Sequence, residues 1–453
     1  MNDTEPSEIR ITAIKVTGLF GIYEHLVPLK SDRVTVIHGP NGVGKTVLLK
    51  LTNAFLNGRY HEIVRVPFNT LEISFSDRSI ARIELFRATP KKKIELTYEY
   101  SSGEKELATL EGDVLDTNQL AVQISERSPY ISQVGADEFV DRRTDETIDA
   151  EQVIARAAEY TPKEAKKLVA REPKGFKELR AKISVHFIEA QRLIRVNAAS
   201  EEWRYRHPER TSMTATVQEY SRDLKKKLES TLATYAKQSQ KLDQTFPQRL
   251  LQGSAGPFPI NQLKVELADI EATRNRLKKI GLLESSDPTQ GAYPLQIEQI
   301  DSLAEGQLSV MSVYARDTKE KLSVLDSLSE RIELLLGVLN RKFTNKQVTI
   351  SRESGLAIFG IDSKPIPVTA LSSGEQHELV LLYDLLFKVK PNTLVLIDEP
   401  ELSLHISWQK GFLEDLLEII KLSKFDALIA THSPYIVGDR SDLLVVLSPE
   451  LGA

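Results

Sequence analysis

Gly39-Pro40-Asn41-Gly42-Val43-Gly44-Lys45-Thr46 follows the apolar run at 34–37 and precedes a helix-forming stretch, residues 46–56. Every position satisfies G-x-x-x-x-G-K-[ST], and a strand before and a helix after are the setting that pattern needs. Glycines let successive backbone N–H groups converge on phosphate oxygens, while the start of the helix adds its partial positive charge. The pattern directs Lys45 to the β and γ phosphates of a nucleotide and Thr46 to Mg²⁺. The whole loop, Gly39, Pro40, Asn41, Gly42, Val43 and Gly44 with Lys45 and Thr46, is the candidate nucleotide cradle.

Three further stretches carry chemistry when read beside that loop. Thr393-Leu394-Val395-Leu396-Ile397-Asp398-Glu399 is an apolar strand ending in two carboxylates. Asp398 is placed to hold Mg²⁺ and Glu399 to polarise an attacking water. Leu371-Ser372-Ser373-Gly374-Glu375-Gln376 opens a helical segment expected to run through Leu386. A serine hydroxyl and free N–H groups at a helix start bind anions, although Ser372 with Glu375 three residues on is also the pattern of a capping box. Thr431-His432-Ser433-Pro434 follows a short strand at 427–430, and Gln191 follows another at 183–188.

In this order the motifs resemble those of the ABC-type ATPases of the SMC, RecF and OLD group. The resemblance covers residues 9–100, 180–200 and 345–447. The signature match rests on Leu371, Ser372, Gly374 and Glu375, with Ser373 where that family usually has a glycine. The fold implied is α/β: an ABC-type P-loop NTPase head, its mixed sheet carrying an antiparallel N-terminal β-meander, plus a helical, short coiled-coil-like insertion. The segments implied are 1–205, the insertion 206–344, and 345–453. ATP and Mg²⁺ are the implied cofactors. Glu399, His432 and Gln191 are the implied catalytic residues, and Thr46, Asp398 and Gln191 the metal-holding ones. Ser372, Gly374 and Glu375 are implied to complete the nucleotide site of a second copy, in a homodimer of heads or a higher homo-oligomer.

The rest of the chain is read from pattern. Alternating runs at 71–76, 81–86 and 94–100 predict the meander. Val217, Tyr220, Leu224, Leu228, Thr231, Tyr235 and Leu242 recur at helical spacing, as do Leu263, Leu267, Ile270 and Leu277, then Leu325, Leu328, Ile332, Leu335 and Leu339. Two or three antiparallel helices are expected there, with breaks at 246–259 and 285–294. Between the strands and the helices lie an acidic stretch, 137–151, and a basic one, 163–182. Asp141, Asp145 and Asp149, four apart, are expected on one helix face. The basic stretch is the better candidate for DNA.

Composition excludes other classes. The chain has 453 residues, 41% of them hydrophobic and 27% charged, with a net charge of −5 and no cysteine; its mean hydropathy is −0.25. Neither a disordered chain nor a membrane protein fits, and a disulfide framework or thiolate zinc site is unavailable. A polar, acidic N-terminus and the lack of cysteine favour the cytoplasm. The stretches 398–405 and 430–434 resemble bacterial OLD-like ATPases, many of which serve phage defence. No Asp-x-Asp of a Toprim nuclease follows, so the chain resembles stand-alone defence subunits, the PARIS type among them. That resemblance implies a separately encoded effector, a Toprim-type nuclease, and a phage protein as trigger. A RecF-like DNA-repair ATPase acting at DNA ends or gaps is the alternative.

Overall fold

Alternation of apolar and polar residues over the first hundred positions builds a six-stranded antiparallel sheet. Its spatial order in the computed structural model is Tyr23–Pro28, Ile11–Leu19, Thr70–Phe75, Ile80–Phe86, Lys93–Glu99, Lys105–Glu111. Burial alternates with period two along Thr70–Phe75, Ile80–Phe86 and Lys93–Glu99, so one face is packed. The structure describes residues 9–86, 93–111, 121–122, 124–126, 128, 130–135, 138–142, 146–150, 153, 172–196, 213–252, 256–283, 301 and 303–447. It divides into two compact units, residues 1–213 with 388–453, and residues 214–387.

The first unit also holds a five-stranded sheet in the order Ser184–Ile188, Thr393–Asp398, Asp426–Thr431, Val34–His38, Leu444–Val446. All four pairings are parallel. Thr393–Asp398 is buried at every position, which is why it reads as an unbroken apolar run rather than an alternating one. Helix Lys45–Leu56 packs on the parallel strands, and its residues share one core with Ile14, Ile73, Ile83 and Leu96 of the antiparallel sheet. Lys50 is the one exposed residue of this helix.

The described part of the acidic stretch up to Asp149 forms strands, where one helix face was expected. Glu138–Asp141 and Glu146–Asp149 are antiparallel strands, Asp141 opposite Glu146 and Asp149 opposite Glu138. Phe139, Ile131 and Ile148 form a small apolar core there, and burying them outweighs a helix whose carboxylates four apart would repel. Asp145 lies outside the described residues. So does most of the basic stretch, including Lys163, Lys166, Lys167 and Arg171; its end forms helix Lys174–Lys182. Among the described residues no helix is long and apolar enough to cross a membrane.

Where two or three helices were expected, the described residues form four, Thr216–Gln252, Ile260–Lys279, Glu305–Ser323 and Asp326–Lys342; the second unit also holds helix Ser373–Tyr383 and a three-stranded antiparallel sheet, Lys346–Ser351, Gly355–Gly360 and Pro365–Ile366. Each periodic leucine series supplies a buried seam, among them Leu224, Leu228, Leu263, Leu277, Ile332 and Leu339. Gly281, at φ +80°, ends the second helix. The break expected over 246–259 starts later than its first residue: one helix ends at Gln252 and the next begins at Ile260. The first helix runs through Pro247, which has no N–H to offer the Asp243 carbonyl; one position earlier, Arg249 Nη2 and Thr245 Oγ1 donate to Leu242 O. The break at 285–294 lies outside the described residues.

Gly355 is at φ +84°, and a Cβ there would collide with the Ser221 carbonyl oxygen. Gly355→Ala is therefore expected to destabilise the chain by more than about 1 kcal/mol, seen as a lower Tm in thermal denaturation.

Candidate functional site

Ligands of parallel sheets bind beyond the carboxyl ends of the strands, and four of the expected motifs emerge at that edge. The phosphate loop leaves Val34–His38, Glu399 follows Thr393–Asp398, His432 follows Asp426–Thr431, and Gln191 comes three residues after Ser184–Ile188.

Backbone conformation shapes the loop. Gly42 and Gly44 are at φ +89° and +93°, a region that side chains with a Cβ rarely enter. A Cβ on Gly44 would lie 2.5 Å from Leu19 Cδ2, and one on Gly39 would lie 2.7 Å from Leu447 O, whereas Gly42 faces open space. Pro40, Asn41 and Gly42 are exposed, and Val43, Gly44 and Lys45 are buried. Lys45 Nζ donates to Gly39 O at 2.7 Å and Pro40 O at 3.0 Å, so the ammonium is held over the loop. Burial lowers the Lys45 pKa, against the opposing pull of Glu399, Glu401 and Asp398. A phosphate beside it would favour the charged ammonium and oppose that lowering.

Thr46 Oγ1 donates to Asp398 Oδ1 at 2.9 Å, across 352 positions of sequence. Burial raises the Asp398 pKa; the Thr46 hydroxyl opposes this and the nearby Glu399 adds to it. A partly buried hydroxyl–carboxylate pair next to further carboxylates fits a divalent cation that takes oxygen ligands and keeps several waters. Among the described residues there is no group of three or more His, Cys, Asp or Glu that could hold a metal ion, so the two side chains suit a cation shared with phosphate, not a cage.

Glu399 is a non-glycine residue at φ +44°, an uncommon conformation that is fixed here by its N–H donating to Ala430 O at 2.9 Å. His432 Nδ1 stands 3.7 Å from Glu399 Oε1 and 3.2 Å from Glu401 Oε1. Gln191 is exposed, and its buried neighbour Arg192 donates from Nη2 to Pro400 O at 3.2 Å, tying that segment to the turn after Glu399.

The signature residues belong to the other unit. Ser372 caps helix Ser373–Tyr383, and the capping box is complete: Glu375 N donates to Ser372 Oγ, and Ser372 N donates to Glu375 Oε2 at 2.8 Å. Gly374 sits in the first turn. The helix does not continue as α-helix to Leu386; Asp384–Lys388 is a π-helical turn. Tyr220 donates to the buried Asp384 Oδ1 at 2.5 Å, and Arg331 donates to Leu386 O.

Three residues of these networks carried no role in the sequence. Lys346 Nζ binds Glu375 Oε1 at 2.6 Å. Burial pushes the Glu375 carboxyl up, but Lys346 and the Ser372 N–H and hydroxyl outweigh it and hold it below the ordinary range. His25 Nε2 lies 2.8 Å from Val43 O, bracing the phosphate loop from the antiparallel sheet. Glu401 gathers the segment around His432. Only Glu401 had a visible signal, as a second acid just past Asp398-Glu399; the partners of Lys346 and His25 are set by packing.

Residues 10–437 match the AAA_15 family, described as an AAA ATPase domain. The chain belongs to this family and is an ATPase of that type. No curated protein matches it. Among solved structures, an Smc head domain with an extended coiled coil, bound to the C-terminal domain of ScpA and derived from Pyrococcus furiosus, is 13% identical at a TM-score of 0.35, covering 98% of this chain and 94% of that one. An SmcHead bound to the C-winged helix domain of ScpA is 11% identical at 0.33, covering 94% and 90%. The SMC head domain from Thermotoga maritima is 11% identical at 0.30, covering 95% and 92%.

Proposed function

We propose that the chain is an ATP-dependent dimerising switch, the regulatory ATPase of a bacterial phage-defence system that controls a separately encoded toxic nuclease. The observation that carries the ATPase part is the Thr46–Asp398 hydrogen bond, which joins the phosphate loop to the carboxylate strand beside Glu399 and His432. The defence part rests on the resemblance of 398–405 and 430–434 to OLD-like ATPases. In this reading 1–205 and 345–453 form the head and 206–344 is its insertion, and the chain acts in the cytoplasm.

Each side chain has a task in this reading. The loop N–H groups and Lys45 bind the phosphates, and Thr46 and Asp398 hold Mg²⁺, with Gln191 at the edge of its site. Mg²⁺ supplies positive charge that offsets the negative charge growing on the phosphates. Glu399 accepts a proton from the attacking water, and His432 donates a hydrogen bond at the far phosphate. Ser372, Gly374 and Glu375 act on the site of a second copy, so ATP closes two heads and hydrolysis releases them.

The purified chain is expected to hydrolyse ATP, to cut neither DNA nor RNA, and to co-purify with the product of the neighbouring gene. Metal-dependent cleavage by this chain alone, lost on mutating a carboxylate outside the ATP site, would overturn the reading.

A further inference from the structure

One buried carboxylate at the site has no task in the mechanism above. Glu401 lies two residues past Glu399, with its side chain only 5% exposed. Its Oε1 accepts from Thr431 Oγ1 at 2.7 Å, from His432 N at 3.0 Å and from Ser433 N at 3.2 Å. The same oxygen stands 3.2 Å from His432 Nδ1. Thr431 Oγ1 in turn accepts from Ser433 N at 2.9 Å, and Ser433 Oγ donates to Gln409 Oε1 at 2.7 Å. Oε2 is buried without a hydrogen-bond partner.

A carboxylate taken out of water must recover its lost hydration from donors in the protein. Here the donors come from three consecutive residues at the point where strand Asp426–Thr431 ends, so the charge and the backbone of that segment fix each other. Thr431 and Ser433 are themselves buried, leaving water no ready way to replace the carboxylate. The segment gathered in this way carries His432, and the next strand carries Glu399, whose N–H is already tied to Ala430 O. With Nδ1 turned to the Glu401 carboxylate, Nε2 is the ring nitrogen left to face the phosphate.

We propose that Glu401 is a positioning residue for ATP turnover: by collecting the Thr431 hydroxyl and the His432 and Ser433 N–H groups on one oxygen, it fixes His432 beside Glu399. The proposal rests on the ATPase reading of the site, and it separates Glu401 from Glu399, its neighbour two residues away. Glu399 is set against the water; Glu401 acts only through the His432 segment.

The test uses the full chain with Glu401→Ala, Glu401→Gln, Thr431→Val and His432→Ala. Turnover, nucleotide binding, Tm and amide hydrogen exchange at 431–433 are measured for each. Glu401→Ala should speed exchange at His432 and Ser433 at least tenfold or so. It should lower kcat to within about threefold of His432→Ala while changing nucleotide affinity less than about twofold. Adding Glu401→Ala to His432→Ala should cost little more, because both act through one ring. Glu401→Gln keeps an acceptor oxygen and should recover most of the slow exchange and part of kcat. Thr431→Val removes one donor and keeps the carboxylate; it should loosen the same amides, and it decides the matter where Glu401→Ala unfolds.

Unchanged exchange in Glu401→Ala or Thr431→Val, fast exchange with normal kcat, or additive losses in the double variant would each overturn the proposal. Absence of turnover in the wild-type chain would instead defeat the ATPase reading. Wild-type turnover with any of the three results above defeats the positioning role alone.

Discussion

Glu399→Gln is expected to bind ATP as the wild type does and to lose turnover by about a hundredfold or more, the scale of a positioned general base. Glutamine has the shape of glutamate and can occupy the same backbone at φ +44°. It keeps the N–H bond to Ala430 O but cannot accept a proton from water. Lys45→Ala should fail one step earlier. Its ammonium, held over the loop by Gly39 O and Pro40 O, is the main side-chain cation available to the phosphates. Its loss should abolish binding and turnover together. Turnover assayed beside binding of a fluorescent nucleotide separates the two variants, and near-normal hydrolysis in Glu399→Gln would remove Glu399 from its role.

The second large effect concerns composite sites. Ser372→Arg should block turnover while sparing nucleotide binding, since the phosphate loop is untouched. Losing the cap is expected to lower helix stability by about 1 kcal/mol, small enough for the fold to survive and readable as a modest drop in Tm. Mixing Ser372→Arg with Lys45→Ala protein should restore activity. A mixed dimer has one site with both Lys45 and Ser372 intact, and random pairing makes about half of all dimers mixed, so about a quarter of sites recover. Mixed dimers shown to form without any rescue would mean that each site is completed within one chain.

Residues near one another in the chain were enough to read several features. The phosphate loop is a local pattern between a strand and a helix, and its glycines adopt the positive φ values that the pattern needs. The leucine seams, the alternating strands and the capping box of Ser372 and Glu375 follow from periods of 3.6, 2 and 3 that any short window displays. The unbroken apolar run at Thr393–Asp398 likewise announced a strand buried on both faces.

Where local pattern and packing disagreed, packing decided. Asp141 and Asp149 looked like one face of a helix and became neighbouring strands, because Phe139 and Ile148 had a core to enter. Pro247 fell in an expected break and lies inside a 37-residue helix that ends five residues later, at Gln252, with Arg249 held by Asp317 of another helix. The sequence determined which residues could serve a nucleotide. Only the tertiary structure decided that Thr46 meets Asp398, that Lys346 holds Glu375, and that Glu401 gathers the His432 segment. Each of those contacts joins positions some 30 to 350 residues apart, and a hydrogen bond between distant residues leaves no period in the chain from which to read it.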